Sequence, residues 1–443
     1  MDKQDLLKIA QAACEAAVSS GAKFADVSAG FGRSIGVELE SSAIKTCNSR
    51  NGGGLSVRAI YNGGTGWSST DKATLEAAIE AGKNAAKLAK LAEPDPDFVS
   101  LPSPVESYPN IEGLFDPKIG NIDIKTLIGC ALKNIDGAHS VCPDSIVQGG
   151  LSAWNGSRAL ANSLGISLAS DGSSISGYIM AIVRRGDDVG SFYDFDQARV
   201  LDDFDASAIG VSAAKEAMKF LGARKNETKR MPVILGPLAS GSIFNGIVGN
   251  ADAEGIQRRR SFMLGKLGKK IGSDVLTIKD EPHIPRGMSS RPWDEEGFPT
   301  KPLVVLEKGV LKSYLYGSYT AGKAGAQNTG HGTRGGRASS SNVIPTLGTM
   351  TSADIISSTK EGLYINMGGI RPNNVTGDVS VSVDFGFKIE NGELAYPVMN
   401  AMIGGNFLDM LANVDAISSD YRAEPGQIMP TIRILDCLVA GGK

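Results

Sequence analysis

The spacing of apolar and polar positions changes from helical to strand-like twice in the first half of the chain. Apolar residues recur every three or four positions over residues 3–20, which predicts a helix. Alternating segments predict strands at 24–32, 34–47, 54–61 and 64–69, followed by a helix that runs to about residue 91. The same order returns at about 121–138 (helix), 144–154, 157–162, 166–185 and 189–195 (strands), and 206–221 (helix). The pattern therefore predicts two similar helix–β-meander–helix units in one N-terminal domain.

Two segments break this pattern and predict boundaries. The first, at 93–110, holds prolines at 94, 96, 102, 104 and 109. Because proline fixes φ and has no backbone N–H, that density predicts an extended connector between the units. The second is the polar run at 222–230. We therefore expect an N-terminal α/β domain at 1–226, with units at about 1–93 and 119–222, and a C-terminal domain at 227–443.

The second half is dominated by short strand-like segments. They lie at 231–235, 303–307, 310–316, 362–367, 379–390 and 431–439, with one helix expected over 240–250. Asn391-Gly392 stands between alternating residues and predicts a two-residue hairpin, because both positions tolerate φ > 0. The fold class that we expect is α+β, with a mostly antiparallel C-terminal sheet or partial barrel with helices.

Composition narrows the class of protein. The 443 residues are 42% hydrophobic and 21% charged, with a net charge of −3, which gives no overall field that would collect nucleic acid. No apolar run reaches the roughly 18 residues of a membrane span. The five scattered cysteines suit reduced thiols, and the amphipathic N-terminus lacks a signal-peptide layout. We expect a cytoplasmic protein without a membrane segment.

Three long segments resemble the TldD/PmbA family, whose members are described as TldD–TldE metalloproteases and as modulators of DNA gyrase. They are GGGLSVRAIYNGGTGWSSTD at 52–71, the block at 290–334 that contains DEEGFPT, and the closing region at 381–414. Their order and spacing cover most of the chain. The resemblance implies a cytosolic zinc-dependent peptidase that acts on unfolded peptides.

The segment at 235–268 is similar to the part of the family that carries HExxxH in its TldD branch. Here the three motif positions are Asn245, Gly246 and Asn250. Zinc is held by imidazoles beside a carboxylate base, and neither an amide nor glycine supplies those groups. The third family ligand, a cysteine ahead of the last strand, is missing from 418–434, and Cys437 falls inside the strand pattern. The resemblance thus implies a TldE/PmbA-like chain with no catalytic residue and no metal of its own.

The partner that the resemblance implies is a TldD-like catalytic subunit, which would carry the zinc in a heterodimer or higher assembly. Two alternatives remain open: a stand-alone homodimeric peptide-binding protein, and a regulator associated with DNA gyrase. The gyrase hypothesis would use the basic cluster Arg258–Arg260. Acidic residues are interspersed around that cluster, so we interpret it as a solvated or ion-paired face.

The Gly-rich segment 320–341 is the remaining candidate site, because a loop of this length usually has a function. We expect its polar residues to lie near a cavity and to contact a peptide or the partner subunit; they are Asn328, Thr329, His331 and Arg334. Asp294-Glu295-Glu296 is interpreted as a turn. His139 and His283 have no second ligand at metal-binding spacing.

Overall fold

The computed structural model describes residues 1–441. Its helices are α1 Lys3–Ser19, α2 Leu75–Leu91, α3 Pro117–Gly120, α4 Ile124–Val141, α5 Ala206–Lys219, α6 Pro237–Asn250, α7 Ala253–Gln257, α8 Ser318–Ala324, α9 Ser352–Ser357 and α10 Phe407–Ala412. Its strands are β1 Phe24–Glu40, β2 Ala43–Tyr61, β3 Gly64–Thr70, β4 Ile146–Asn162, β5 Ser167–Arg185, β6 Asp188–Ala198, β7 Arg224–Lys225, β8 Lys229–Gly236, β9 Ile278–Asp280, β10 Leu303–Glu307, β11 Val310–Leu311, β12 Val343–Pro345, β13 Glu361–Met367, β14 Asp378–Val383, β15 Phe385–Glu390, β16 Glu393–Met399, β17 Ala401–Asn406, β18 Val414–Glu424 and β19 Gln427–Gly441.

The N-terminal half forms one antiparallel sheet in the order β3-β2-β1-β4-β5-β6. Each unit contributes a three-stranded meander, and the first strands of the two units, β1 and β4, pair at the centre. Helices α1 and α2 pack together, with α2 on β2 and β3 and α1 on both β1 and β4, while α4 and α5 pack together, with α5 on β5 and β6 and α4 on both β1 and β4. The predicted α+β class and the two helix–β-meander–helix units are confirmed.

The number of strands in each unit differs from the prediction. Segments 24–32 and 34–47 were expected to be two strands, but β1 continues without a break to Glu40 and the chain turns at Ser41 and Ser42, both with positive φ. Likewise, 144–154 and 157–162 form the single strand β4. The predicted breaks fall beside two glycines that allow close backbone approach within the sheet: Gly32 and Gly156 are register partners, and a Cβ on Gly156 would lie 2.8 Å from the Gly32 Cα.

The helix pairs of the two units use the same packing device. The buried face of α2 is built from alanines and Gly82, and Gly82 lies against the backbone of Ala13 on α1. In the second unit, Gly210 of α5 lies against the backbone of Asn134 on α4. Small residues at these positions therefore let the two helix backbones of each pair approach closely.

The C-terminal half contains two sheets. The larger one has the order β14-β17-β19-β8-β13-β15-β16-β7, with β18 paired to β19, and the smaller has the order β11-β10-β9-β12. Most pairs are antiparallel, and β8 with β13 and β7 with β16 are parallel. Helix α6 packs on β19 and β13, where Ile243, Phe244 and Ile247 enter the main core.

Three local predictions in this half have different outcomes. The Asn391-Gly392 hairpin is present between β15 and β16, with φ of 52° and 84°. The segment 379–390 was expected to be one strand, but it is two, β14 and β15, separated at Asp384. The segment 310–316 was expected to be one strand, but only Val310–Leu311 forms a strand, and Leu315 makes an isolated bridge with Asp252.

The two halves share an aromatic contact. Phe192 of β6 and Phe220, just after α5, pack with Phe385 and Phe387 of β15, at ring-centroid distances from 4.7 to 5.7 Å. The predicted boundary at 226/227 falls between β7, which already pairs with β16, and β8.

Over residues 1–441, no helix is long and apolar enough to cross a membrane.

Candidate functional site

Helix α6 carries the three positions that replace the metal motif. It begins directly after β8, with Pro237 in its first turn, where the missing proline N–H breaks no intrahelical bond. Asn245 is exposed, whereas Asn250 is buried, with 7% of its surface exposed. Five residues along a helix correspond to a rotation of about 500°, so the two side chains point about 140° apart. In this helix the Asn245 amide therefore faces the surface and the Asn250 amide faces the interior.

Asn250 makes a hydrogen bond within helix α6, and Gly246 packs against the hydrophobic core. The Asn250 Nδ2 donates a hydrogen bond to the Gly246 carbonyl oxygen at 2.8 Å, and the Asn250 carbonyl accepts one from the Ser261 Oγ at 2.6 Å. A Cβ built on Gly246 would lie 2.8 Å from the Cζ of Phe407, a fully buried ring. A glutamate at 246 would therefore collide with the core.

The cysteine of the last strand is not arranged as a ligand either. Cys437 is buried in β19 opposite Met231. Burial, together with the nearby Asp436 carboxylate, raises the pKa of the Cys437 thiol to about 12, so the thiolate that binds metals is disfavoured. Residues 1–441 contain no group of three or more His, Cys, Asp or Glu side chains that could hold a metal ion. The residues at the motif positions do not fit zinc.

Residues 328–334 of the Gly-rich segment pack into the protein, whereas residues 320–324 belong to helix α8 and residues 322–327 are exposed. His331 is buried: its Nε2 lies 3.0 Å from the Asp280 Oδ2 and its Nδ1 lies 2.9 Å from the Thr329 Oγ1. The Thr329 hydroxyl donates to the Tyr316 carbonyl at 3.0 Å. Asn328 is half-buried and donates to the Ser318 Oγ at 3.0 Å. These bonds fix the segment against β9 and the start of α8.

Arg334 connects this segment to the N-terminal sheet. Its Nε donates to the Asp26 Oδ1 at 2.8 Å, and Arg58 donates to the other Asp26 carboxylate oxygen, with its Nε at 2.9 Å. The Arg58 Nη1 also donates to the Arg334 carbonyl. Both guanidinium groups lie over the ring of Trp67. Burial opposes ionisation of Asp26, but the charges of Arg58 and Arg334 outweigh it and lower the Asp26 pKa.

Two buried carboxyl groups extend this network. Asp294 and Glu296 are 2% and 3% exposed, and Glu296 Oε1 lies 3.7 Å from Arg58. Backbone N–H groups of Glu296 and Phe298 donate to one Asp294 oxygen, and that of Gly332 donates to the other. Burial, and then the charge of Glu296, raises the pKa of Asp294 to about 7; burial also raises the Glu296 pKa. The predicted turn is present, but two of its three acids, Asp294 and Glu296, face the interior.

The contact of Asn328, Thr329, His331 and Arg334 with a peptide or partner stays a prediction. Three of the four are buried and bonded within the chain. The partners of Arg334 were not identified from the sequence, although one signal existed: Asp26 and Arg58 interrupt apolar strand segments, where an unpaired charge would be unfavourable.

The other sequence candidates have ordinary surface or structural contacts. His139 Nε2 lies 3.1 Å from the Ser145 carbonyl, and His283 Nε2 lies 3.1 Å from the Thr300 Oγ1. In the basic cluster, Arg258 pairs with Glu254 at 2.5 Å. This one pair, and the exposure of Arg259 and Arg260, agree with the interpretation of the cluster as a solvated or ion-paired face.

Comparison with known proteins places this geometry in a family. Three domain models of the PmbA/TldA metallopeptidases match the chain in order: domain 1 over 25–89, the central domain over 117–221 and the C-terminal domain over 228–441. The PmbA homologue of Haemophilus influenzae, a metalloprotease by name, is 29% identical over 95% of this chain and 92% of its own length. Metalloprotease PmbA of Escherichia coli O157:H7 is 29% identical over 59% of this chain and 57% of its own length.

Solved structures agree with the sequence relatives. TldE from Thermococcus kodakarensis superposes with a TM-score of 0.89 at 25% identity, over 98% of this chain and 100% of that one. A candidate modulator of a DNA gyrase from Thermotoga maritima gives a TM-score of 0.86 at 24% identity, over 98% and 99%, which shows the fold alone. The matched domain models together span well over half of the sequence. The chain therefore belongs to the PmbA/TldD family of metallopeptidases.

Proposed function

We propose that this chain is the non-catalytic, TldE/PmbA-like subunit of a zinc protease that acts on unfolded peptides. The TldD-type partner would hold the zinc and cleave the substrate. This chain would contribute part of the enclosing wall and bind substrate without cleaving it.

The observation that carries the proposal is the state of helix α6. A hydrolytic zinc site needs ligands that converge on one point and a base next to the bound water. Here Asn245 faces outward, Asn250 donates back to its own helix, and the Phe407 ring closes the space beside Gly246. The altered motif is therefore integrated into the packing of the helix, which supports a chain that does not cleave.

The proposed partner and the proposed substrate are inferred from the family to which the chain belongs. Its relatives include proteins named TldE, PmbA and TldD homologue. An unfolded peptide offers unpaired main-chain groups, and a protein recognises those most simply by adding the peptide to a strand edge. Such binding selects extended shape over sequence, as a processing enzyme for unfolded peptides requires.

Reconstitution tests the proposal. The purified chain is assayed for zinc by elemental analysis and for cleavage of unfolded casein, alone and after mixing with a TldD-type chain that retains HExxxH. We expect no stoichiometric zinc and no cleavage from the chain alone, and cleavage from the mixture that exceeds that of the TldD-type chain by itself. One equivalent of zinc with protease activity in the isolated chain contradicts the proposal.

Size-exclusion chromatography of the same samples decides the partner. A new species that contains both chains supports the heteromeric assembly. A homodimer that ignores the TldD-type chain, with no gain in cleavage, identifies a stand-alone peptide-binding protein instead.

A further inference from the structure

The N-terminal sheet has a groove of about 510 Å³ on the face that its helices leave uncovered. Ser152 of β4 and Ser176 and Tyr178 of β5 lie in this sheet groove, and Glu38 of β1 lies at its end, opposite Gly150. The alternate residues of these strands enter the core under the helices, so the groove residues face the other way. None of the described residues that line the sheet groove is a Lys, an Arg or a His. The groove is therefore open and lacks cations along its length.

An exposed tryptophan lies on the same face, next to the sheet groove. Trp154 follows Ser152 by two residues on β4 and is 41% exposed. Its ring lies across three glycines of neighbouring strands, at each of which a Cβ would come within 3.3 Å of the indole; they are Gly32 of β1, Gly156 of β4 and Gly172 of β5. The glycines therefore let the ring lie close to the sheet backbone while part of its surface stays in contact with solvent.

Arg158 follows Trp154 on the same face and is held in one orientation. Its Nε donates to the Ser170 Oγ at 2.9 Å, and its Cζ lies 5.1 Å from the centre of the buried Trp293 ring. The residue is exposed, and its two Nη atoms make no hydrogen bond within the described part of the chain. A guanidinium that is fixed at Nε and free at both Nη atoms presents the planar fork that binds a carboxylate.

Two further arginines lie near Arg158 without a counter-ion. Carbonyl and hydroxyl oxygens hold Arg199 and Arg291, and none of the three arginines makes an ion pair with a described residue. Desolvation by the surrounding protein, and then the charges of Arg291 and Arg199, lower the pKa of Arg158 to about 10. The charge of Glu295 opposes this shift without forming an ion pair. Three positive charges are thus gathered at a place where an anion would balance them.

The sheet groove favours a peptide over a nucleic acid as the source of this anion. A nucleic acid carries one phosphate per nucleotide and binds to cations along its whole length, whereas the described lining has no cation and ends at Glu38. An extended peptide carries charge at only a few places. Gly150 and Arg158 are eight residues apart on β4, which corresponds to ~26 Å, so about eight residues of extended peptide reach from the guanidinium to the far end.

We propose that Arg158 binds a carboxylate of an extended peptide that lies along the sheet groove, with Trp154 beneath the residue next to that carboxylate. The carboxylate is either the C-terminus of the peptide or the side chain of an Asp or Glu. Arg199 and Arg291 add positive charge that attracts it. The proposal rests on the non-catalytic, peptide-binding role proposed above, and it names the part of the substrate that this chain recognises.

Two substitutions remove the proposed contacts, and a third is their control. Arg158→Gln removes the charge and breaks no ion pair, so the fold is expected to persist. Trp154→Ala removes the exposed ring and leaves the three glycines beneath it unchanged. Arg184 is exposed near the end of β5 and does not line the sheet groove, so Arg184→Gln makes the same change of charge on the same sheet outside the site.

Binding is measured on the full chain by fluorescence anisotropy of three Ala/Thr octapeptides that carry an uncharged label at the amino end. The first peptide has a free C-terminal carboxylate, the second a C-terminal amide, and the third a C-terminal amide after one Glu. We expect the second to bind at least ~10-fold more weakly than the tighter of the other two, because it lacks the charge-assisted hydrogen bonds. Tight binding of the first assigns the C-terminus, and tight binding of the third alone assigns a side chain.

The variants are measured with the tightest-binding peptide and with the amide peptide. We expect Arg158→Gln to weaken binding of the former at least ~10-fold and Trp154→Ala about 3- to 10-fold, while Arg184→Gln binds like the wild type. Arg158→Gln should also abolish the difference between the two peptides, which a general loss of packing would not do. Circular dichroism checks folding, and if Arg158→Gln does not fold, the wild-type peptide series and Trp154→Ala decide.

The proposal is overturned if no peptide binds at millimolar concentration, if the amide peptide binds as tightly as both carboxylate peptides, or if Arg158→Gln binds like the wild type. Tighter binding of a single-stranded DNA octamer than of all three peptides also overturns it. Zinc content and cleavage separate this test from the proposed function. A zinc-free chain that enhances cleavage by a TldD-type chain but has no preference for a carboxylate contradicts only the site at Arg158, whereas stoichiometric zinc with cleavage by the chain alone contradicts the proposed function.

Discussion

The Arg334 Nε lies 2.8 Å from the Asp26 Oδ1, although 308 residues separate the two. Asp26 belongs to β1 of the N-terminal sheet, and Arg334 lies two residues after Gly332, whose N–H donates to the Asp294 carboxylate. Arg58 bonds to both residues, so one buried ionic contact joins the two halves of the chain. Its position makes the stability of the whole molecule depend on a few charges.

Removal of the Asp26 charge is expected to destabilise the protein strongly. Asp26→Asn leaves the buried guanidinium groups of Arg58 and Arg334 without their carboxylate, which costs about 3–5 kcal/mol of unfolding free energy. Urea unfolding at neutral pH measures the loss. Asp274→Asn breaks the exposed pair with Lys270 and is expected to cost below about 1 kcal/mol. Equal losses of unfolding free energy in the two variants would show that the buried contact stabilises the protein no more than an exposed ion pair does.

The buried acids predict a stability that falls as the pH rises. Because the pKa of Asp294 is raised from 3.8 to about 7, the folded state keeps a proton that the unfolded state has released in that range. The contribution of Asp294 is therefore fully present below about pH 4 and is lost as the pH rises to about 7. Urea midpoints measured from pH 5 to pH 8 should decline less in Asp294→Asn than in wild type.

Glu295→Gln is the control for that experiment, since Glu295 is exposed and lies between the two buried acids. It should keep the pH slope of the wild type. A flat wild-type profile would mean that the Asp294–Glu296 pair holds no additional proton.

The packing around α6 predicts opposite effects of alanine at two glycines. Gly249→Ala meets open space and should stabilise the protein by up to about 1 kcal/mol through helix propensity. Gly246→Ala places its Cβ 2.8 Å from the buried Phe407 ring, and this overpacking should cost about 1–3 kcal/mol, which exceeds the propensity gain. Thermal unfolding of both variants checks the order. A stabilising Gly246→Ala would show that Phe407 moves freely.

Restoring the motif is expected to give weak metal binding and little activity. The triple variant Asn245→His, Gly246→Glu, Asn250→His supplies two imidazoles and a base, but position 250 faces the core and the Phe407 ring opposes a side chain at 246. The cysteine ligand and the groups that orient the imidazoles are also missing. Zinc titration and casein cleavage measure the outcome. Tight, stoichiometric zinc with turnover would show that the helix still carries a latent site.

The sequence predicted those features that depend on neighbouring residues. The hairpin at Asn391-Gly392 was predicted because two residues decide it, and the helices of both units were predicted from their apolar spacing. The lengths of β1 and β4 were not predicted. Each strand was divided beside a glycine, Gly32 or Gly156, but these two residues face each other across the sheet inside continuous strands. The true turn at Ser41 and Ser42 has no glycine to mark it.

Some features of the candidate site could likewise be predicted from the sequence, and others could not. The replacements at Asn245, Gly246 and Asn250 are visible in the sequence, and so is their conflict with zinc chemistry. The direction of each side chain is not, because it depends on Phe407 and on the bond from Asn250 to its own helix. The ionic contact of Asp26 required knowledge of residues more than 200 positions away.

The short strand β12 has a consequence for how copies of this protein meet. An unpaired edge is a template on which identical chains stack into fibres. Here Val343 presents one outward donor and acceptor, and Pro345 ends the row. A growing sheet of protein molecules therefore finds no continuing ladder of donors and acceptors at this edge, so the short strand gives aggregation no template.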